Sequence, residues 1–303
     1  MLSILQIMYY TEINYNARGD SMSDYEKKGY LISDFRVFRL KDAELKPIPF
    51  HYHDFHKIIM FLDGAVDYVI EGKTYHLAPR DIVFVTAGEI HRPIFTDDNK
   101  EYERIVIYVA PDFLRRWQEQ DNEHADLSQC FAYAQENSSV MHQPPGTSHD
   151  LLFHMDKLEK TARGHGFANG LFTEIMFIEF MILLNRSLHE HELSGLTNAS
   201  YDPKIQEIMT YINAHLSEEL SIDDLAAKAY ISKFYLMRKF KADTGYSIHQ
   251  YIRSKRLLLA RDLLKTDMSI TNICEEVGFA DYSTFSRAFK ERFKCSPRGY
   301  RKK

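Results

Sequence analysis

Gly278-Phe279-Ala280-Asp281-Tyr282-Ser283-Thr284-Phe285-Ser286-Arg287-Ala288-Phe289-Lys290 is the stretch whose reading decides the fold. Gly278 marks a turn and Asp281 stands at an N-cap position. Phe285 and Phe289 lie four apart, so they share the face of a helix that turns to the core. Tyr282, Ser283, Ser286 and Arg287 then point elsewhere. The same arrangement is written upstream, offset by roughly 48 residues, which is the mark of duplicated architecture. There Ser232 is the cap, Leu236 and Phe240 face inward, and Lys233, Phe234, Met237 and Arg238 do not. Ser221-Ile222-Asp223-Asp224-Leu225-Ala226 and Ser269-Ile270-Thr271-Asn272-Ile273-Cys274 supply a capped first helix for each copy.

Two units of helix, turn and helix predict two DNA-reading elements, because a helix-turn-helix reads bases from the N-terminal half of its second helix. The candidate readers are Lys233, Phe234, Met237 and Arg238 in the first copy. In the second they are Tyr282, Ser283, Ser286, Arg287 and Lys290. Ser247 caps a run from Ile248 to Leu264 that can form one helix of about 18 residues, roughly 27 Å long. A strut of that size would hold the two reading helices near one duplex turn, about 34 Å, apart.

Charge agrees once the chain is divided. The 303 residues carry a net −5, yet Pro203 to Lys303 holds 19 Lys and Arg against 12 Asp and Glu, a net +7, leaving −12 upstream. A basic module on an acidic partner is the footprint of a protein that touches phosphate with one part only. Arg253, Lys255, Arg256, Arg298, Arg301, Lys302 and Lys303 are candidates for backbone contacts, which position a protein without specifying sequence.

With Ser296-Pro297-Arg298-Gly299-Tyr300-Arg301 added to the opening stretch, the last third of the chain resembles the AraC/XylS transcription regulators. The resemblance implies a sequence-specific regulator of promoter DNA, activation through RNA polymerase, and a homodimer. One departure is Lys294, where the second copy usually carries glycine.

From about Leu31 to Ala110 the pattern changes to short strands: Arg36–Leu40, Lys57–Leu62, Val66–Ile70, Lys73–Leu77, Ile82–Thr86 and Arg104–Val109. Asp63-Gly64, Glu71-Gly72, Pro79-Arg80-Asp81 and Ala87-Gly88 punctuate them. Such spacing predicts a jelly roll able to close around a small ligand. The order of His51-Tyr52-His53, Gly64, Gly72, Pro79-Arg80-Asp81 and Gly88-Glu89-Ile90-His91 resembles the cupin-like barrel fused to AraC-type DNA-binding domains. Effector contacts are expected from His51, His53, Lys57 and His91, with Arg36, Tyr68 and Arg92 as companions. The resemblance implies a sugar or related metabolite as effector, and a lysine at position 57 suits a polyhydroxylated or anionic small molecule.

His51 and His53 stand two apart and so project to one face of a strand, and His91 can join them from another. If a metal is present, these three hold it, with His56 as a substitute ligand. A metal-binding cupin also supplies a glutamate four residues after the second His, and here that place holds Lys57. No cofactor is expected.

Asn122 to Gly146 reads as a polar loop, and Leu151–Lys160 and Leu171–Leu188 as helices. The second of these is apolar around most of its circumference, which predicts burial on more than one side, against the barrel and another subunit. Gly195 to Ser200 loosens into a linker before Asp202 and Pro203 start the next helix. Met1 to Tyr10 is too short to span a bilayer, no other stretch approaches about 18 apolar residues, and three scattered cysteines show no pairing pattern. These features place the protein in the cytoplasm with no membrane partner.

The expectation is an α+β multidomain protein: an N-terminal jelly-roll, cupin-like barrel with trailing helices, then an all-α domain with two helix-turn-helix units. Its parts are an extension over 1–28, a sensor barrel over 29–115, a helical, dimerising segment over 116–194, a linker over 195–202 and the DNA-binding domain over 203–303. Two rivals stand beside an effector-controlled regulator. One is a metal-dependent cupin enzyme with a helical assembly domain, and the other a DNA-binding protein whose barrel binds nothing.

Overall fold

The structure is a computed structural model that describes residues 31, 33–97, 99–120, 125–195 and 199–302. The expected extension over 1–28 and the contact expected of Lys303 lie outside the described residues.

Alternating Val, Ile, Phe and Tyr produce strands β1 (Phe35–Asp42), β2 (His56–Asp63), β3 (Val66–Ile70), β4 (Lys73–His76), β5 (Asp81–Val85), β6 (His91–Phe95) and β7 (Tyr102–Val109). β8 (Val140–His142) and β9 (Ser194–Gly195) follow later in the chain. Antiparallel pairing builds one sheet in the order β1-β7-β2-β5-β8-β9 and a second in the order β4-β3-β6. Strand parity then sorts the side chains. Ile59, Phe61, Tyr68, Ile70, Val83, Val85 and Val106 fill the space between the sheets. Ile58, Met60, Ile82, Phe84, Ile105 and Ile107 cover the opposite face of the larger sheet, under helices.

Those helices are α1 (Pro111–Gln120), α2 (Gln129–Glu136), α3 (Leu151–Ala162) and α4 (Asn169–His189). Four differences from the sequence reading appear here. The stretch 122–146, read as a loop, contains α2 and β8, each too short to show a period. α1 runs across the boundary expected at 115/116, and β8 and β9, from the segment expected to be helical, extend the larger sheet. β6 was not among the expected strands; Pro93 is tolerated in it because β6 is an edge strand.

The C-terminal part contains α5 (Pro203–Ala214), α6 (Ile222–Lys228), α7 (Lys233–Thr244), α8 (Ile248–Leu263), α9 (Ile270–Glu276), α10 (Tyr282–Phe293) and α11 (Pro297–Arg301). Ser221, Ser232, Ser247, Ser269, Asp281 and Ser296 each accept the backbone N–H three residues on, so six helix starts are fixed by local chemistry. α7 ends on Gly245 at φ 77°, α10 on Lys294 at φ 60°. α8 has 16 residues, roughly 24 Å, a little shorter than expected. Its Ile248, Tyr251 and Ile252 enter the core of the first helix-turn-helix. Leu257 and Ala260 enter that of the second.

Candidate DNA-reading surface and barrel site

α7 and α10 are the second helices of the two units. Leu236, Phe240, Phe285 and Phe289 are buried on their inner faces. Lys233, Phe234, Met237 and Arg238 are exposed on α7, as are Tyr282, Ser283, Arg287 and Lys290 on α10; Ser286 is half-buried. Phe234 is 80% exposed. An aromatic left in water at the second position of a capped helix costs free energy unless a partner covers it, which keeps Phe234 a candidate for contact with a thymine methyl or sugar. Lys233 Nζ pairs with Asp223 at 2.7 Å, a bond that engagement of phosphate would exchange.

The tertiary structure divides the other basic residues. Arg256 is a clamp: its guanidinium donates to Leu216 O at 2.8 Å, Glu218 O at 2.6 Å and Gly278 O at 2.6 Å, tying α8 to both units. Arg301 likewise donates to Leu264 O and Met268 O. Lys255 turns to the barrel and pairs with Glu71 at 2.9 Å. Arg253 is ion-paired with Glu291 on the surface. Arg298 and Lys302 are exposed and stay candidates for phosphate.

In the barrel, His51 and His91 exchange both backbone hydrogen bonds, at 3.1 and 2.9 Å, so their side chains leave on one face. His53 follows by strand parity. The three imidazoles are buried, with ring centroids 4.4, 5.0 and 5.0 Å apart, and one ligand nitrogen from each falls within 4.8 Å of the others. Lys57 lies on the same inner face, its Nζ 3.1 Å from Tyr68 Oη, and Tyr68 stacks on His91. Burial, then the Arg104 guanidinium, draws the Lys57 ammonium down to about 7. Burial, with His51, Lys57 and His53 around it, holds His91 well below the usual imidazole range, so its ring is neutral.

Arg36 shares the inner parity of β1 but is exposed. Arg92 is corrected: it lies on the outer face of β6, its guanidinium 4.2 Å above the Phe50 ring, in a cleft of about 410 Å³ between β3, β4, β6 and α5, α7. His56 is corrected as a substitute ligand. It faces the helices, stacked 4.1 Å from Phe131, and burial, then Arg261, lowers it to about 3.

Residues 50–55 form the wall between this cluster and the DNA-binding part. The odd positions His51, His53 and Phe55 turn inward, with Phe55 stacked 4.6 Å from His53. The even positions turn outward. Phe50 packs in the first helix-turn-helix core, and its carbonyl accepts from Tyr246 Oη at 3.0 Å. Tyr52 lies under the Arg292 guanidinium of α10 at 4.2 Å. Asp54 contributes to the field at buried Arg261 of α8. Across the wall, Ile90, adjacent to His91, is itself a member of the first helix-turn-helix core. Sequence reasoning found the histidines but not this alternation, although the period-two pattern of Phe50 to Phe55 was there to see.

A cluster of buried polar side chains in a barrel backed onto a double helix-turn-helix defines a two-part DNA-binding regulator. Comparison with known proteins agrees: residues 225–303 match the helix-turn-helix domain family and residues 40–170 the AraC-like ligand binding domain family. The HTH-type transcriptional activator RhaS of Enterobacter sp. (strain 638) is 30% identical over 262 residues, 84% of this chain and 87% of that protein. RhaS of Klebsiella pneumoniae (strain 342) is 27% identical over 259 residues, with the same shares covered. The crystal structure of the DNA-binding domain of AdpA with a target DNA matches 33% of this chain and 90% of its own, at 32% identity and a TM-score of 0.32. The chain belongs to the AraC/XylS family of transcription regulators. It is a DNA-binding regulator, not an enzyme, and the ligand-binding family match extends through the barrel and α3 to the first residues of α4.

Proposed function

We propose that this protein is a cytoplasmic transcription activator that reads promoter DNA as a homodimer, contacts RNA polymerase there, and is controlled by a small molecule in the barrel. The observation that carries the reading is the alternation at 50–55. One short segment presents His51 and His53 to the barrel interior and Phe50 and Tyr52 to the two helix-turn-helix units. A molecule held by the inward residues shifts the outward ones, and it does so only by binding the two arrangements with unequal affinity. The cluster of imidazoles with Lys57 and Tyr68 suits hydroxyls or an anion, which matches sugars, related metabolites and small carboxylates.

The dimer is assigned to α4. Met176, Phe180, Met181, Leu184 and Leu188 are buried in its own domain, whereas Leu171 and Ile175 are 62% and 53% exposed, with Phe172 beside them. An apolar face left in water beside a buried one is the surface a second copy would cover.

A thermal-shift series on the full chain against sugars and small carboxylates tests the effector. A ligand at 100-fold its dissociation constant adds about 2.7 kcal/mol of stability, and the same ligand is expected to change promoter affinity. A hit that stabilises the protein without altering DNA binding would refute the coupling.

A further inference from the structure

We propose that the cleft between the outer face of the smaller sheet and helices α5 and α7 is a second small-molecule site, built for a polyhydroxylated carboxylate such as a sugar acid. It lies outside the barrel and uses none of the histidines.

Strand register makes the floor. Val69 pairs with Thr74 on one side and with Arg92 on the other. Tyr68 turns into the barrel, so these three turn out, and Ile94 follows Arg92 by parity. One face of α7 makes a wall, since Lys239, Ala242 and Asp243 stand three and four apart. The start of α5, at Asp202 and Pro203, makes the other. The space enclosed is about 410 Å³, within the ~300–1,000 Å³ usual for small-molecule sites.

Two unmatched polar atoms define what fits. Arg92 Nε is buried without a hydrogen-bond partner among the described residues, and so is Asp243 Oδ2, a rare condition for either kind of atom. The remaining charges are matched. Asp243 Oδ1 accepts from Lys239 Nζ at 2.8 Å, and Asp202 accepts from Lys204 N, Ile205 N and Tyr235 Oη. Arg92 has only the Phe50 ring beneath it, at 4.2 Å, which supplies no full counter-charge.

The cleft therefore offers one uncompensated cation and one idle acceptor. A guanidinium with an open Nε edge is a planar fork for a carboxylate, so the ligand carries an anion. Asp243 Oδ2 calls for a donor. An ammonium there would meet the Lys239 ammonium across one carboxylate, so a hydroxyl is the matching group. Thr74 and Ser200 add two more hydroxyls, fixed in place by a backbone pair at 2.9 and 2.8 Å. Both unmatched atoms lie just under the surface of side chains that line the cleft. A carboxylate turns easily about its last torsion, and the guanidinium leaves only a ring contact, so the ligand draws both atoms out. A molecule seated there touches the sensor sheet and the first DNA-reading helix at once, and so favours the arrangement in which the two are packed together.

The test is calorimetric titration of the full-length chain with D-gluconate, D-galacturonate and D-glycerate. D-Glucose, which lacks the carboxylate, and hexanoate, which lacks the hydroxyls, are the controls. At least one of the three acids should bind at about one molecule per chain, and both controls at least ~tenfold more weakly, the loss expected when a hydrogen bond to a charged group is missing. Arg92→Met should weaken that acid at least ~tenfold, Arg92→Lys should recover only part of the loss, and Asp243→Ala should narrow the preference over hexanoate. Circular dichroism confirms that the variants fold, and Arg92→Lys carries the comparison if Arg92→Met does not. Hydrogen exchange locates the bound acid. Slowed exchange over residues 69–74, 200–206 and 239–244 supports the cleft, whereas slowing confined to 51–57 places the molecule in the barrel and overturns the proposal. Binding by none of the three acids, or equal affinity of the Arg92 variants and the wild type, also overturns it. A chain that loses the acid on substitution of Arg92 yet prefers no promoter fragment upholds the site and removes the regulator.

Discussion

Lys255 Nζ lies 2.9 Å from Glu71 Oε1, joining α8 to the β3–β4 turn of the barrel. The same carboxylate accepts from Tyr251 Oη at 2.6 Å and Ile90 N at 2.8 Å, and Glu71 O accepts from Gln206 Nε2 at 2.7 Å. Glu71 therefore holds the strut between the two DNA-reading units against the sensor. Both side chains are mostly covered, 16% and 17% exposed, so the pair is screened less than a surface ion pair.

A double-mutant cycle of Glu71→Gln and Lys255→Met should give a coupling energy of about 1–2 kcal/mol by urea denaturation, above the ~0.2–1 kcal/mol of exposed pairs. Coupling indistinguishable from zero would show that the sensor does not rest on α8 in solution.

Arg256 bridges three carbonyls of two units, and removing it leaves those acceptors unpaired. Arg256→Met should cost about 2–4 kcal/mol of stability in the DNA-binding part. Arg256→Lys should recover only a fraction, because an ammonium cannot reproduce the planar fork. A loss of DNA affinity with unchanged stability would instead make Arg256 a phosphate contact.

Lys294 occupies the left-handed cap of α10 that Gly245 fills at the end of α7. A side chain in that region clashes with its own backbone, so Lys294→Gly should stabilise the protein by about 0.5–1 kcal/mol. Differential scanning calorimetry reads the sign directly, and a lower melting temperature would mean that the lysine side chain makes compensating contacts.

Arg287 is exposed on the N-terminal half of α10. Arg287→Ala should weaken cognate DNA binding by about 1–3 kcal/mol and relax preference at one base position. A uniform loss across scrambled sites, seen by competitive gel shift, would reassign it to the phosphate backbone.

Ile175 lies on the exposed apolar side of α4. Ile175→Glu should convert a dimer to monomers in light scattering at micromolar concentration while leaving the melting temperature of the monomer domain nearly unchanged. A dimer that survives the substitution would place the subunit interface elsewhere.

The locally encoded features of this protein were legible. The paired units, five of their six caps, most strand regions and the inward pair of aromatics on α10 each depend on residues within a turn or two of one another. Of the elements that escaped reading, α2, β8 and β9 are too short to carry a period and exist because the sheet and the helices around them supply the missing contacts, whereas β6 was hidden by Pro93, which only an edge position tolerates.

The sequence by itself determined that the chain carries two helix-turn-helix units, a β barrel and a set of histidines on one strand face, because caps and periodicity act through neighbours in the chain. Only the tertiary structure decided which charges are free to meet DNA. Arg256, Arg301 and Lys255 look alike in a string of letters, yet each also donates to a distant carbonyl or carboxylate. It also decided that Phe50 and Tyr52 face the DNA-binding part while His51 and His53 face the barrel, since a strand alternates on its own but only packing settles what lies on each side.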